Sequence, residues 1–331
     1  MTKNTYMPID TVISWVDGND PAHAKRRKTY EDLEDVQHKT SKEPTRFDSQ
    51  GEIYVCIASI LKFMPFVRTI WVVTDGQKPP QLDWFAQSGF CGKNRIKIVD
   101  HQDILGDREN ALPTFNSLTI EAALWRIQGL AEHHIYFNDD MFVKRTLTPE
   151  FFFTDAGEPI VRGSYRFFRS TGGLEWLKHE FLRPLRPNHW GRASFRTSQE
   201  NAALIAGRTK QFILQEHWPH PMKASVLSQF YTKNESTFAE QLRHRFRKRS
   251  QHWPIALHNH LTVGDPASAP KVAYAKPGRR EDEMLQTLIG DGADFGCMQS
   301  LDQFPKDKAD RLFDGLVQIY SPFLRRDMLG R

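Results

Sequence analysis

Four short segments bring together residue types that can do chemistry. In WVDGNDP (residues 15–21) a β-rich run stops at Asp17-Gly18, and Asp20 follows close behind. Carboxylates on a tight turn at a sheet edge can hold Mg²⁺, which takes a few carboxylates and keeps room for substrate phosphates. In an ordinary turn the same residues bond their own backbone. FNDDM (137–141) sets Asn138, Asp139 and Asp140 directly after another β-rich run. Adjacent carboxylates repel unless a cation or basic group lies between them, so the pair suits a metal–diphosphate, although acidic pairs also decorate surfaces. HWPHP (217–221) spaces His217 and His220 at i and i+3 in a segment held by Pro219 and Pro221. The two imidazoles could serve as a general base and a phosphate ligand, or as zinc ligands, with no further ligand set at telling spacing. LRHRFRKR (242–249) packs Arg243, Arg245, Arg247, Lys248 and Arg249 around Phe246. Such a run is by default a solvated face. Arginine, however, matches phosphate oxygens bidentately, so one or two of these could turn inward.

Those segments need a scaffold, and the apolar pattern supplies one. Residues 9–16, 69–74, 95–99 and 134–138 are short β-rich runs, whereas 52–64 and 114–127 repeat apolar residues at helical spacing. Strands alternating with helices predict an α/β fold with a mainly parallel sheet flanked by helices. Ligands bind such sheets beyond the carboxyl ends of the strands. That rule gathers Asp17, Asp75, Asp100 and the run Asn138–Asp140 into one crevice. Residues 21–50 read as a loop or a short exposed helix. Past residue 150 the pattern weakens: 161–200 has no clear period, 223–247 looks helical, 265–283 looks like loop, and 309–320 is a final amphipathic helix. The expected organisation is an α/β core over 1–150 and a mostly helical or irregular part over 151–331. The second part completes the site and packs with the first as one unit.

Composition narrows the classes further. The 331 residues allow a substantial core, and no apolar run approaches the roughly 18 residues of a membrane-spanning helix. The first residues lack a secretory h-region, so the expected location is cytoplasmic. Three cysteines without a CxxC pair make neither a disulfide framework nor a thiolate zinc site. A formal charge of +5 favours anionic partners. One aromatic in the basic run is thin support for stacking on nucleic acid, which is not an expected partner. The basic run and the last helix would permit peripheral contact with an inner membrane. No P-loop, GxGxxG or GxSxG motif is present, so acids, histidines and arginines must carry the chemistry.

Taken in order, the segments resemble the Stealth family, which comprises bacterial capsular-polysaccharide phosphotransferases and the catalytic subunit of N-acetylglucosamine-1-phosphotransferase. IDTVISWVDGNDP (9–21) is similar to its first conserved block. RFDSQGEI through LPTFNS to FNDDMF (46–142) is similar to the second, HWPHPM to LRHRFR (217–247) to the third, and FGCMQSLD (295–302) more faintly to the fourth. Asp48, Tyr54 and Ala58 stand where family members often carry arginine. The resemblance implies a nucleotide-sugar-binding core of GT-A or Rossmann-like type. It also implies transfer of a hexose 1-phosphate, such as N-acetylhexosamine 1-phosphate from UDP-GlcNAc, to a sugar hydroxyl of a capsular or exopolysaccharide glycan. Mg²⁺ or Mn²⁺ would assist, a nucleoside monophosphate would leave, and capsule-assembly proteins would be neighbours. The alternative is a metal-dependent glycosyltransferase releasing a nucleoside diphosphate. By position, Asp17 resembles the essential early acid, and Asp139 and Asp140 the metal-binding pair, with Asn138 beside them. Asn116 would lie near the donor, and Arg46 and Arg247 would neutralise phosphate. Either His217 or His220 matches the catalytic histidine; the proton acceptor is that histidine or Asp17.

Overall fold

The computed structural model describes residues 7–33, 49–108, 110–169, 194–278 and 280–330. Arg46 and Asp48 lie outside the described residues, as does most of the 161–200 stretch.

The main sheet is built from β1 (Ile9–Ser14), β2 (Val67–Thr74), β3 (Ile96–Asp100) and β4 (His133–Asn138). These four run parallel in the order β3-β2-β1-β4. Their side chains alternate between two cores, as the period of two in a strand requires. Ile13, Ile70, Val72, Ile135 and Phe137 face one side, whereas Val12, Trp71, Val73 and Tyr136 face the other. Burial on both faces explains why these strands read as continuous apolar runs rather than alternating ones. The helix Glu52–Phe63 lies on the first side and is buried all round because β5 (Met141–Val143) and the helix Lys306–Tyr320 close over it. Helices Ala224–Lys233, Glu235–Leu242 and Pro254–Thr262 cover the other side.

The second half also supplies strands that the sequence reading missed. After β6 (Ser164–Phe167) and β7 (Gln211–Leu214), which pair only with each other, β8 (His220–Lys223) joins the main sheet antiparallel to β4. Further on, β9 (Val272–Ala275) falls inside the expected 265–283 loop and pairs parallel with β10 (Phe295–Met298), itself antiparallel to β5. The chain therefore leaves β4 at Asn138, turns through Asp139 and Asp140, and enters a second sheet at Met141. The acidic pair sits at the junction of two sheets.

Residues 21–50 contain the largely exposed helix Pro21–Leu33, one of the two forms expected there. The predicted helix over 114–127 is instead a short helix Ser117–Glu121 followed by a 3₁₀ turn Leu124–Arg126. Phe115 leaves the supposed helical stripe because it stacks on Phe246, ring centroids 5.4 Å apart, before the helix begins.

One polar group anchors the central strand. Asp10 is fully buried, and its carboxylate accepts from Arg68 Nε (2.8 Å), Arg68 Nη2 (2.6 Å), Trp71 Nε1 (2.9 Å), Ala131 N (2.9 Å) and Thr69 N (3.2 Å). Truncation leaves buried donors unpaired. Asp10→Ala should therefore lower the unfolding free energy by about 3 kcal/mol or more, read from urea unfolding curves.

Candidate active site

A cleft of about 360 Å³ opens beyond the carboxyl ends of β1, β3 and β4, with its far wall from the second half of the chain. Among the residues lining it are Asn116, Asn138, Asp139, Asp140, His217 and Arg247, so the structure brings together six of the residues singled out from the sequence. Residues from both halves meet here.

The first-block turn takes its ordinary structural form. Asp17 Oδ1 accepts from Asn19 N at 3.0 Å, its backbone is clamped by Gln77 through two 2.9 Å bonds, and Asp20 Oδ1 accepts from His23 N at 2.8 Å. Asp20 thus caps the helix Pro21–Leu33, with proline at the first helical position where its missing N–H costs nothing. Asp17 is not among the residues lining the cleft.

Asp139 and Asp140 are both held above the usual carboxylate range. Burial pushes the Asp139 carboxyl well above the usual range, and the neighbouring charges of Asp140 and Glu52 push it further. Burial also raises Asp140, opposed mainly by His217. Asp140 Oδ2 receives only the Cys297 thiol at 3.5 Å, and Asp140 Oδ1 is buried without a hydrogen bond. Two crowded carboxylates with an orphaned oxygen suit a hard cation. Mg²⁺ takes one or two protein carboxylates and completes its shell with water and substrate phosphates, so the donor set fits. Among the described residues no group of three or more His, Cys, Asp or Glu side chains forms a closed metal cage.

Arg247 stands on the other wall. Its Nη2 donates to Ser117 Oγ at 2.6 Å, while Nε is buried without a partner. Burial disfavours its charge, and Glu121 and Tyr136 partly restore it. Asn116 ties the start of the helix Ser117–Glu121 to the segment around Arg247. Fully buried, it caps the helix Ser117–Glu121 through Leu118 N at 3.2 Å. Its amide also donates to His244 O at 3.0 Å and Gln251 Oε1 at 2.8 Å. Asn116 therefore ties together the residues that position Arg247.

The two histidines separate cleanly. His217 lines the cleft, leaning on Phe195 with ring centroids 5.1 Å apart. His220 lies on β8, 1% exposed, between Trp218 and Trp253, with Nε2 3.3 Å from Glu216 O. It does not line the cleft. Burial lowers its pKa to about 3, so it is a neutral packing group at pH 7. Of the basic run, Arg247 turns inward, Lys248 is half-buried and Arg249 stays exposed.

The sequence reading passed over Glu121, Tyr136, His23 and His101. Burial lifts Glu121 to about 7 against the pull of Arg247, and Tyr136 Oη donates towards both Glu121 Oε1 (3.2 Å) and Asn138 Oδ1 (2.8 Å). A signal existed: Glu121 is a lone charge in the apolar run LTIEAALW. A second bay of about 150 Å³ adjoins the cleft and shares Asn138, His217 and Arg247 with it, with Lys248, Arg249 and Glu216 at its edges.

Conserved region 1 of the Stealth proteins matches residues 7–35, and conserved region 2 matches residues 46–161. An exopolysaccharide phosphotransferase of Streptomyces coelicolor is 32% identical over 95% of this chain and 56% of its own length. A capsular polysaccharide phosphotransferase of Actinobacillus pleuropneumoniae is 43% identical over 47% of this chain and 41% of its own. The chain thus spans about half the length of these curated relatives. Among solved structures, a galactosyltransferase bound to donor and acceptor sugar analogs overlaps 94% of this chain and 96% of that one, at 13% identity and a TM-score of 0.46. Among the described residues no helix is long and apolar enough to cross a membrane. With both conserved regions present in order, and similarity running nearly end to end, the chain belongs to the Stealth family.

Proposed function

We propose that the protein is a phosphotransferase that moves a sugar 1-phosphate from a nucleotide sugar to a sugar hydroxyl of a capsular or exopolysaccharide. One observation carries the reading: a single cleft is lined by Asp140, whose buried Oδ1 has no hydrogen bond and suits a cation, by Arg247, whose buried Nε has none and suits an anion, and by His217. The names of the relatives, exopolysaccharide and capsular polysaccharide phosphotransferase, support the same class.

Transfer of this kind depends mostly on positioning and charge neutralisation. A divalent cation held by Asp139 and Asp140 would neutralise oxygens of the donor diphosphate. Arg247, aimed by Ser117 and Asn116, binds the non-bridging oxygens of the sugar-linked phosphorus. The acceptor enters through the adjoining bay, its hydroxyl oxygen attacks that phosphorus, and His217 takes the hydroxyl proton. The bond to the nucleoside monophosphate breaks, and a phosphodiester forms. Asp17 is less well placed for that step because its carboxylate holds the turn and does not line the cleft.

The test is product identification with a nucleotide-sugar panel, Mg²⁺ and a short glycan acceptor. Nucleoside monophosphate should appear only when metal and acceptor are both present; its absence under every donor, with nucleoside diphosphate formed instead, would replace this reading with glycosyl transfer. A paired comparison separates the histidines. His217→Gln should cut turnover about 10²- to 10⁴-fold at unchanged melting temperature, whereas His220→Gln should lower the melting temperature first.

A further inference from the structure

The end of the cleft at β3 has no part in that mechanism, yet it is built with care. Its lining includes His101, which follows β3, and His23, on the helix Pro21–Leu33. Between them lies Asp75, which follows β2. Its Oδ2 accepts from Arg26 Nη2 at 2.6 Å and lies 3.8 Å from His23 Nε2, while its Oδ1 lies 4.0 Å from His101 Nδ1. The ring of His23 stands edge-on to Phe115 at 5.4 Å. His101 is 2% exposed, and neither of its ring nitrogens makes a hydrogen bond within the protein. A buried polar group left unpaired in this way costs stability unless something else satisfies it.

The chemistry of this end differs from that of the other. Burial lowers His101 to about 4 and also lowers His23, so both rings are neutral at pH 7. A neutral imidazole offers one donor and one acceptor, which suits an uncharged, hydrogen-bonding ring rather than a phosphate. The spacing also fits. From the end of β3 to the end of β4 is three strand intervals, about 14 Å. A nucleoside diphosphate with its phosphates at Asp139 and Asp140 reaches across that distance to His101.

We propose that His101, with His23 and Asp75 beside it, forms the nucleoside-reading end of the cleft, and that His101 sets donor specificity by hydrogen-bonding the edge of the base. The assignment rests on the donor reading above and deepens it.

The test is equilibrium binding, so it does not depend on turnover. Nucleoside 5′-diphosphates of four bases, and ribose 5-phosphate as a probe without a base, are titrated into the intact protein with Mg²⁺. The wild type should prefer one base at least tenfold and bind ribose 5-phosphate far more weakly. His101→Asn and His101→Phe should flatten that preference towards unity while retaining Mg²⁺-dependent binding. Melting curves check that each variant is folded, and His23→Gln, expected to narrow the preference in the same direction, stands in if neither His101 variant folds. Folded variants that keep the full base preference would overturn the assignment, as would ribose 5-phosphate binding as tightly as the best nucleotide. Those results would leave the donor reading intact. Failure of every nucleotide to bind the wild type would remove both.

Discussion

Asp140→Asn should abolish sugar-phosphate transfer, with turnover falling about 10³-fold, while the protein stays folded. Asparagine keeps the volume and removes the charge. The lost charge is the one most exposed to cation chemistry, since Asp140 Oδ1 lies buried without a hydrogen bond and Oδ2 meets only the Cys297 thiol. Because burial raises Asp140 and the Asp140 charge raises Asp139 further, neutralising Asp140 should leave the apo protein at least as stable as the wild type. Metal should reveal the difference. A cation that binds only the folded state raises the melting temperature of the wild type, and Asp140→Asn should lose most of that rise. Near-normal turnover together with an intact Mg²⁺-dependent shift would remove Asp140 from the metal site.

The second large effect is on stability against acid. His101, His258 and His260 are held at about 4, and His134, His220 and His252 at about 3, in every case chiefly by burial. Their folded pKa values lie below the unfolded value of about 6.5. Between these limits the unfolded chain binds more protons, so their contribution to stability is complete above pH 6.5 and is lost as the pH falls. Each fully responsive histidine changes stability by about 1.4 kcal/mol per pH unit. Together they can exhaust a typical margin of about 5–15 kcal/mol within two units. The raised carboxyls of Glu121, Asp139 and Asp140 act in the opposite sense but are fewer. Urea midpoints should therefore fall steeply from pH 7 to pH 5, and His134→Gln should make the slope shallower. A flat pH profile would contradict the neutral burial of these rings.

The sequence exposed what local pattern controls and hid what distant pairing decides. The parallel strands and the acidic run after β4 were legible because continuous apolar runs stop at Asp or Asn. The choice between His217 and His220 was not. It depends on β8 pairing antiparallel to β4, which commits His220 to the interior and leaves His217 in the preceding turn. Likewise VAYA (272–275) read as loop because its partner, β10, lies about twenty residues further on. Asp17 illustrates the reverse case. Its carboxylate does what a turn aspartate ordinarily does, bonding the chain two residues on. Glu121 was findable as a charged side chain flanked by apolar residues, a signal weaker than a motif but physically grounded, whereas His101, set between Asp100 and Gln102, carried no such signal.

The central claim is that bond formation occurs at the sugar-linked phosphorus. The most direct measurement uses a nucleotide sugar radiolabelled at that phosphorus, incubated with the protein, Mg²⁺ and a glycan acceptor, followed by separation of glycan from nucleotide. The account predicts that the label passes into the glycan and that the released nucleoside monophosphate is unlabelled. Label remaining in released nucleoside diphosphate, with unlabelled sugar added to the glycan, would contradict it.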